Sequence, residues 1–187
     1  MNITEVLLIS VGLAMDAFAV AICKSMAMKK LEWKKAILIG LYFGAFQAIM
    51  PVFGYLLGSA FYEMVTKVDH WIALFLLGAI GVNMIKEAFD KESDCDDKVD
   101  VRTMVTLAVA KSIDALACGI TLACLNINII FPVTSIGVIT FGLSVIGVII
   151  GYKFGEKLKT KAQILGGIIL ILLGVIILLE HLEIIQF

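Results

Sequence analysis

Residues 3–24 read ITEVLLISVGLAMDAFAVAICK, a stretch apolar from Val6 to Cys23 except for Ser10 and Asp16. A hydrocarbon core of roughly 30 Å is crossed by about 20 apolar helical residues, so this stretch is long enough to span a bilayer. Backbone groups in lipid must be bonded within their own segment, which makes it a helix. It lacks the positively charged start of a secretory signal, because Glu5 is its only charge before Asp16. The stretch therefore reads as a first transmembrane helix with a carboxylate near its middle.

Working outward, five further stretches qualify, so the spans fall at 3–24, 36–61, 70–89, 102–125, 128–152 and 163–183. The second follows the Lys34-Lys35 pair and contains Pro51, and the sixth has no charge from Ile164 to Leu179. The chain is 61% hydrophobic and 17% charged, with a mean hydropathy of +1.04. Soluble domains run nearer half apolar and a quarter charged, so a soluble fold is excluded. The expected class is all-α: a polytopic membrane protein of six transmembrane helices. The net charge of −1 and the lack of a basic patch give no reason to expect nucleic acid. The partners expected are membrane lipid and a transported ion, with either a monomer or a homo-oligomer compatible.

Basic residues set the expected orientation. Loop one holds Lys24, Lys29, Lys30, Lys34 and Lys35; loop three Lys86, Lys91, Lys98 and Arg102; loop five Lys153, Lys157, Lys159 and Lys161. Those account for 13 of the 15 basic residues, whereas the even loops hold only Lys67. The positive-inside rule then makes the odd loops cytoplasmic and turns both termini outward. Trp33, Trp71, Tyr62 and Tyr152 sit near span ends, as interfacial aromatics do. Loop three also carries Asp90, Glu92, Asp94, Asp96, Asp97 and Asp100. It lacks the glycine and ligand spacing of an EF-hand and reads as a solvated linker. Cys23, Cys118 and Cys124 fall in or beside apolar segments and read as small hydrophobes. With Cys95 they form no zinc-type spacing.

The halves can be aligned. Asp16-Ala17-Phe18-Ala19 matches Asp114-Ala115-Leu116-Ala117 at an offset of 98, and Phe43-Gly44 matches Phe141-Gly142 at the same offset. Gly54 and Gly58 match Gly151 and Gly155 at 97, and Gly81-Val82 with Glu87 match Gly174-Val175 with Glu180 at 93. The expected organisation is a three-helix repeat at 1–89, an acidic cytoplasmic linker at 90–101 and a second three-helix repeat at 102–187. An odd number of spans per repeat inverts the second copy, which in transporters puts the substrate site near the midplane between repeats. Glycines four apart, as in Gly40-x3-Gly44 and Gly147-x3-Gly151, read as close helix packing.

Asp16 and Asp114 lie roughly 18–20 Å into their spans at 1.5 Å per residue, near the bilayer centre. A carboxylate there costs at least about 2.5–3.5 kcal/mol on insertion scales, so a pair at equivalent repeat positions points to function. Two carboxylates form a hard, oxygen-rich anionic site suited to Mn²⁺, Mg²⁺ or Ca²⁺. Candidate supporting groups are Ser112, Gln47 and Asn83, while the thioether of Met15 would favour a borderline transition metal. Lys111 precedes Asp114 by three residues on one helix face and is expected to pair with it locally, the alternative being that its ammonium occupies the cation position until a metal loads. Glu87 and Glu180 read as solvated span ends. No GxxxxGK[ST] motif is present, so the chain is not expected to hydrolyse ATP. His70 and His181 lie at span ends, remote from the aspartates, so no enzyme and no cofactor are expected. Cation export against a negative-inside potential needs coupling, for which inward protons carried on the same aspartates are the expectation.

The motifs Gly12-Leu13-Ala14-Met15-Asp16-Ala17-Phe18-Ala19, Phe43-Gly44-Ala45-Phe46-Gln47-Ala48-Ile49-Met50-Pro51 and Ser112-Ile113-Asp114-Ala115-Leu116-Ala117 resemble the bacterial manganese efflux pump (MntP) family. The resemblance extends over essentially the whole chain. It implies a plasma-membrane exporter of Mn²⁺, related to the lysine-exporter-like superfamily, in which Asp16 and Asp114 are required. Gln47 stands where some members carry a glutamate, and Lys111 where a small polar residue is common. Export of another divalent metal such as cadmium or iron, or of a basic amino acid, is the alternative.

Overall fold

Apolar stretches of this length fold as helices, and the computed structural model contains seven in its described residues. These residues are 3–26, 28, 30–60, 69–89, 99–154 and 156–181. The helices are α1 (Ile3–Met26), α2 (Trp33–Ala60), α3 (Asp69–Phe89), α4 (Val101–Ala110), α5 (Ile113–Cys124), α6 (Ile130–Phe154) and α7 (Glu156–His181). Residues Ile3–Met26, Trp33–Ala60 and Ile130–Lys153 are long and apolar enough to cross a membrane. The α4–α5 pair together makes a fourth such unit, and α7 carries the apolar stretch Gln163–Ile176. The acidic stretch 90–98, Tyr62, Lys67 and Cys95 fall outside the described residues, as do the side chains of Trp71, Glu87 and Glu180.

One expectation fails at the fourth span. In place of a continuous helix over 102–125, the chain breaks at Lys111-Ser112 and bends by 41°. The local sequence explains the break. Ser112 and Asp114 compete with the helix for backbone groups, and Ile113 between them is β-branched. The Ser112 hydroxyl donates to the Ala108 carbonyl, and Ser112 N–H donates to Val109 O at 3.1 Å, a tightened i−3 bond. Helix α4 starts cleanly, since Asp100 caps it by accepting from Thr103 N–H at 3.0 Å and Thr103 Oγ1 at 2.8 Å. Beyond α5, Asn126 turns the chain with φ 52°, which asparagine tolerates.

The helices pack mainly across the two halves of the sequence. The most extensive interfaces join α1 to α6, α3 to α7, α2 to α5, α2 to α6 and α1 to α7. Parallel and antiparallel pairings follow from the close approaches. Gly147 and Gly151 of α6 pack on Phe18 and Ile22 of α1, and Gly54 and Gly58 of α2 pack on Leu116 and Ile120 of α5. Both pairs run parallel. Gly44 and Gly137 face one another at the antiparallel α2–α6 crossing, where a Cβ on Gly44 would lie 2.9 Å from the Gly137 carbonyl. At the α3–α7 crossing, a Cβ on Gly81 or on Gly167 would lie 2.5 Å from the other's carbonyl.

Gly44 opposes Gly137, whereas the Cβ position of Gly142 has nothing within 4 Å among the described residues. Gly54 meets Leu116 as Gly147, not Gly151, meets Phe18.

The outer surface is apolar: Leu41, Phe53, Leu56, Phe75, Val138 and Leu172 are all exposed. Buried polar groups include Ser10, Asp16, Gln47, Thr140 and Ser144. Such an inverted distribution suits lipid outside and a polar interior. Trp33 and Tyr152 are exposed near helix ends, where interfacial aromatics were expected. Two large apolar clusters, and a small third one of Phe18 and Ile22, lie in the interior. One includes Ile9, Leu13, Leu77, Cys118, Leu122 and Ile136; the other includes Ala17, Ala21, Ile39, Phe43, Met104 and Ala108. Cys118 and Cys124 are free and buried, whereas Cys23 is disulfide-bonded, contrary to its reading as a plain small hydrophobe.

Candidate functional site

Asp16 lies midway along unbroken α1, between Leu13 of the first apolar cluster and Ala17 of the second. It is 5% exposed. Asp114 occupies the first turn of α5, between Ala108 of the second cluster and Cys118 of the first. Helix α5 starts there because of the break, and a carboxylate suits the positive end of a helix. Asp114 Oδ1 accepts from Ala115 N–H at 2.8 Å. Its other oxygen, Oδ2, is buried with no hydrogen-bond partner among the described residues.

Both carboxylates line one cavity of about 310 Å³, together with Asn83 from α3 and Lys111 from the break. Ile80 and Ala117 supply part of its apolar wall. The cavity therefore draws on residues from both sides of position 90. Among the described residues no three His, Cys, Asp or Glu side chains converge, so the acidic donors here are a pair. A divalent cation would be met by two carboxylates and the amide of Asn83, all hard donors.

Lys111 pairs differently from the sequence expectation. Its Nζ lies 3.3 Å from Asp16 Oδ1, so the ion pair crosses from the break to α1. The i,i+3 relation that would have turned Lys111 onto Asp114 holds only in a continuous helix. Here Lys111 is the C-cap of α4.

Three other candidates do not line the cavity. Gln47 is 1% exposed, and its Nε2 donates to the Leu13 carbonyl at 3.3 Å, tying α2 to α1. Ser112 is spent on the Ala108 carbonyl. Met15 packs against the Ile9–Leu13 cluster and against Phe18 and Ile22, so it is core. Sequence reasoning passed over the buried hydroxyls Thr140 and Ser144, which have no hydrogen-bond partner among the described residues. Their i,i+4 spacing on one face of a long, mainly apolar helix was the available signal.

Comparison with known proteins places the chain clearly. The profile of the Mntp family, described as "Putative manganese efflux pump", matches residues 30–178. A protein of Mannheimia succiniciproducens named "Putative manganese efflux pump MntP" is 53% identical over 184 residues, covering 97% of this chain and 98% of its own. One of Acetivibrio thermocellus with the same name is 52% identical over 189 residues, covering 100% and 96%. A third, from Campylobacter jejuni, is 48% identical over 185 residues, covering 97% and 98%. No solved structure matches the chain.

Proposed function

The chain belongs to the Mntp family of manganese efflux pumps, and on that premise we propose that it is a secondary transporter exporting Mn²⁺ across the bacterial plasma membrane. It is a multi-pass membrane protein and not an enzyme; manganese is its substrate rather than a cofactor. Six crossings, arranged as two inverted three-helix repeats with both termini outside, account for the parallel and antiparallel pairings and for the lysine-rich odd loops.

The observation that carries this reading is the cavity shared by Asp16 and Asp114. Two carboxylates neutralise one divalent ion, which lowers the cost of holding it in a low-dielectric interior. Asn83 completes the oxygen donors, and Asp114 Oδ2 is an acceptor still open to a ligand. The two large apolar clusters support alternating access. One lies beyond Asp16 and Asp114 on either side, so opening one while the other stays packed would expose the ion to one face at a time.

The test is metal export by cells lacking their own exporter, comparing the parent chain with Asp16→Asn and Asp114→Asn across Mn²⁺, Fe²⁺, Cd²⁺ and Mg²⁺. Loss of Mn²⁺ tolerance in both variants is expected. Undiminished tolerance in either one contradicts the assignment.

A further inference from the structure

The cavity that holds two carboxylates also holds a cation supplied by the chain itself. We infer that Lys111 is a tethered counter-cation that occupies the Asp16 side of the site in the empty carrier and must leave Asp16 for a divalent ion to load. The inference rests on the metal-site reading above and deepens it, because it assigns the residue that sets the affinity of that site.

The geometry supports this in three ways. Lys111 Nζ stands 3.3 Å from Asp16 Oδ1, while the Lys111 side chain is 20% exposed and that of Asp16 only 7%. The ammonium therefore covers a carboxylate oxygen that an incoming cation would need. Second, Lys111 sits on the two-residue turn between α4 and α5 rather than inside a helix. A long side chain on a turn can swing away without unwinding a helical segment. Third, Asp114 keeps one buried oxygen without a hydrogen-bond partner among the described residues, an acceptor available to an incoming cation. With both carboxylates charged, an ammonium in place leaves the site one negative charge. A divalent ion beside that ammonium would leave a net positive charge in a medium of low dielectric. Displacing the ammonium restores neutrality, so cation and lysine compete.

Competition makes a directional prediction for binding of Mn²⁺ alone to the full-length protein in nanodiscs, read from the loss of the free-ion paramagnetic resonance signal. Lys111→Met is expected to bind more tightly by about 5- to 150-fold, the usual range of a coupling free energy. Lys111→Arg, which keeps the charge, is expected to show no such tightening. Equal or weaker binding by Lys111→Met overturns the proposal. If Lys111→Met fails to fold in metal-free buffer, recovery by purification in Mn²⁺ supports competition, since the ion then takes the ammonium's place. Failure in both buffers overturns it. Mn²⁺ binding by the parent chain that is lost in Asp114→Asn, alongside unchanged affinity in Lys111→Met, rejects the lysine role alone. A parent chain that binds no Mn²⁺ rejects the metal site itself.

Discussion

Lys111 Nζ and Asp16 Oδ1 lie 3.3 Å apart, so the break in the fourth span is fastened to the unbroken first helix by an ion pair. Breaking a buried pair by removing one partner costs roughly 3–5 kcal/mol, because the other charge is left uncompensated. Asp16→Asn is therefore expected to lower the unfolding temperature of the purified protein as well as to abolish export. Adding Lys111→Met should recover the stability without recovering export. A double variant no more stable than Asp16→Asn would show that the pair contributes nothing to the fold.

The glycine crossings make a second prediction. A Cβ on Gly44 would meet both the Gly137 carbonyl and Phe141 Cβ at 2.9 Å, and backbone on both sides leaves no room to yield. Gly44→Val is expected to destabilise the protein and to cut export sharply. Gly142→Ala meets nothing within 4 Å and should be neutral or stabilising by up to about 1 kcal/mol, the helix propensity gain over glycine. Thermal unfolding of both variants in one detergent decides it; equal damage would contradict the observed register.

That pair of variants also marks where sequence reading stopped. The apolar runs and the central carboxylates were legible because burial in lipid leaves few alternatives. Register between the halves was not. Glycines at 137, 142, 147 and 151 lie four or five residues apart, so an alignment can slip by that much and still match small residues. The contacts of Gly44 with Gly137 and of Gly147 with Phe18 discriminate. The break at Lys111-Ser112 was missed because both residues also occur within helices, and the partner of Lys111 lies 95 positions away. Gln47 looked like a ligand because a buried amide invites that reading. Its Nε2 donates to the Leu13 carbonyl and ties the two helices, while its Oε1 is buried with no hydrogen-bond partner among the described residues.

Gln47→Ala should therefore behave unlike a ligand variant. It removes a buried hydrogen bond to a main-chain carbonyl that also serves the α1 helix, a loss of about 0.5–1.5 kcal/mol. The unfolding temperature should fall while the concentration of Mn²⁺ giving half-maximal export stays near the parent value. A large rise in that concentration would place Gln47 in the site.

Asp100 gives a prediction at the membrane surface. Hydrogen bonds from Thr103 N–H and its hydroxyl hold the Asp100 carboxyl below the ordinary value of 3.8. A carboxyl lowered on folding stabilises the fold above its unfolded value, and that contribution is lost as pH falls through the folded one. Asp100→Ala should accordingly lower the unfolding temperature at neutral pH. The gap to the parent should close as the medium is acidified below the carboxylate range. A gap independent of pH would mean the charge plays no part in the cap.

The cavity's donors predict its preference among metals. Asp16, Asp114 and Asn83 offer hard oxygen ligands, and the thioether of Met15, which would have drawn a softer ion, is packed instead against Phe18 and Ile22. Soft ions such as Cd²⁺ gain most from sulfur donors, whereas Mn²⁺ is satisfied by carboxylate and carbonyl oxygen. Mn²⁺ should thus be exported in preference to Cd²⁺. Met15→Leu, a volume-conserving core exchange, should leave that preference unchanged. Asn83→Ala, by contrast, removes a donor from the cavity wall and should raise the half-maximal Mn²⁺ concentration. Vesicle transport with both ions in competition measures the ratio directly, and a Met15→Leu variant with altered discrimination would return the sulfur to the site.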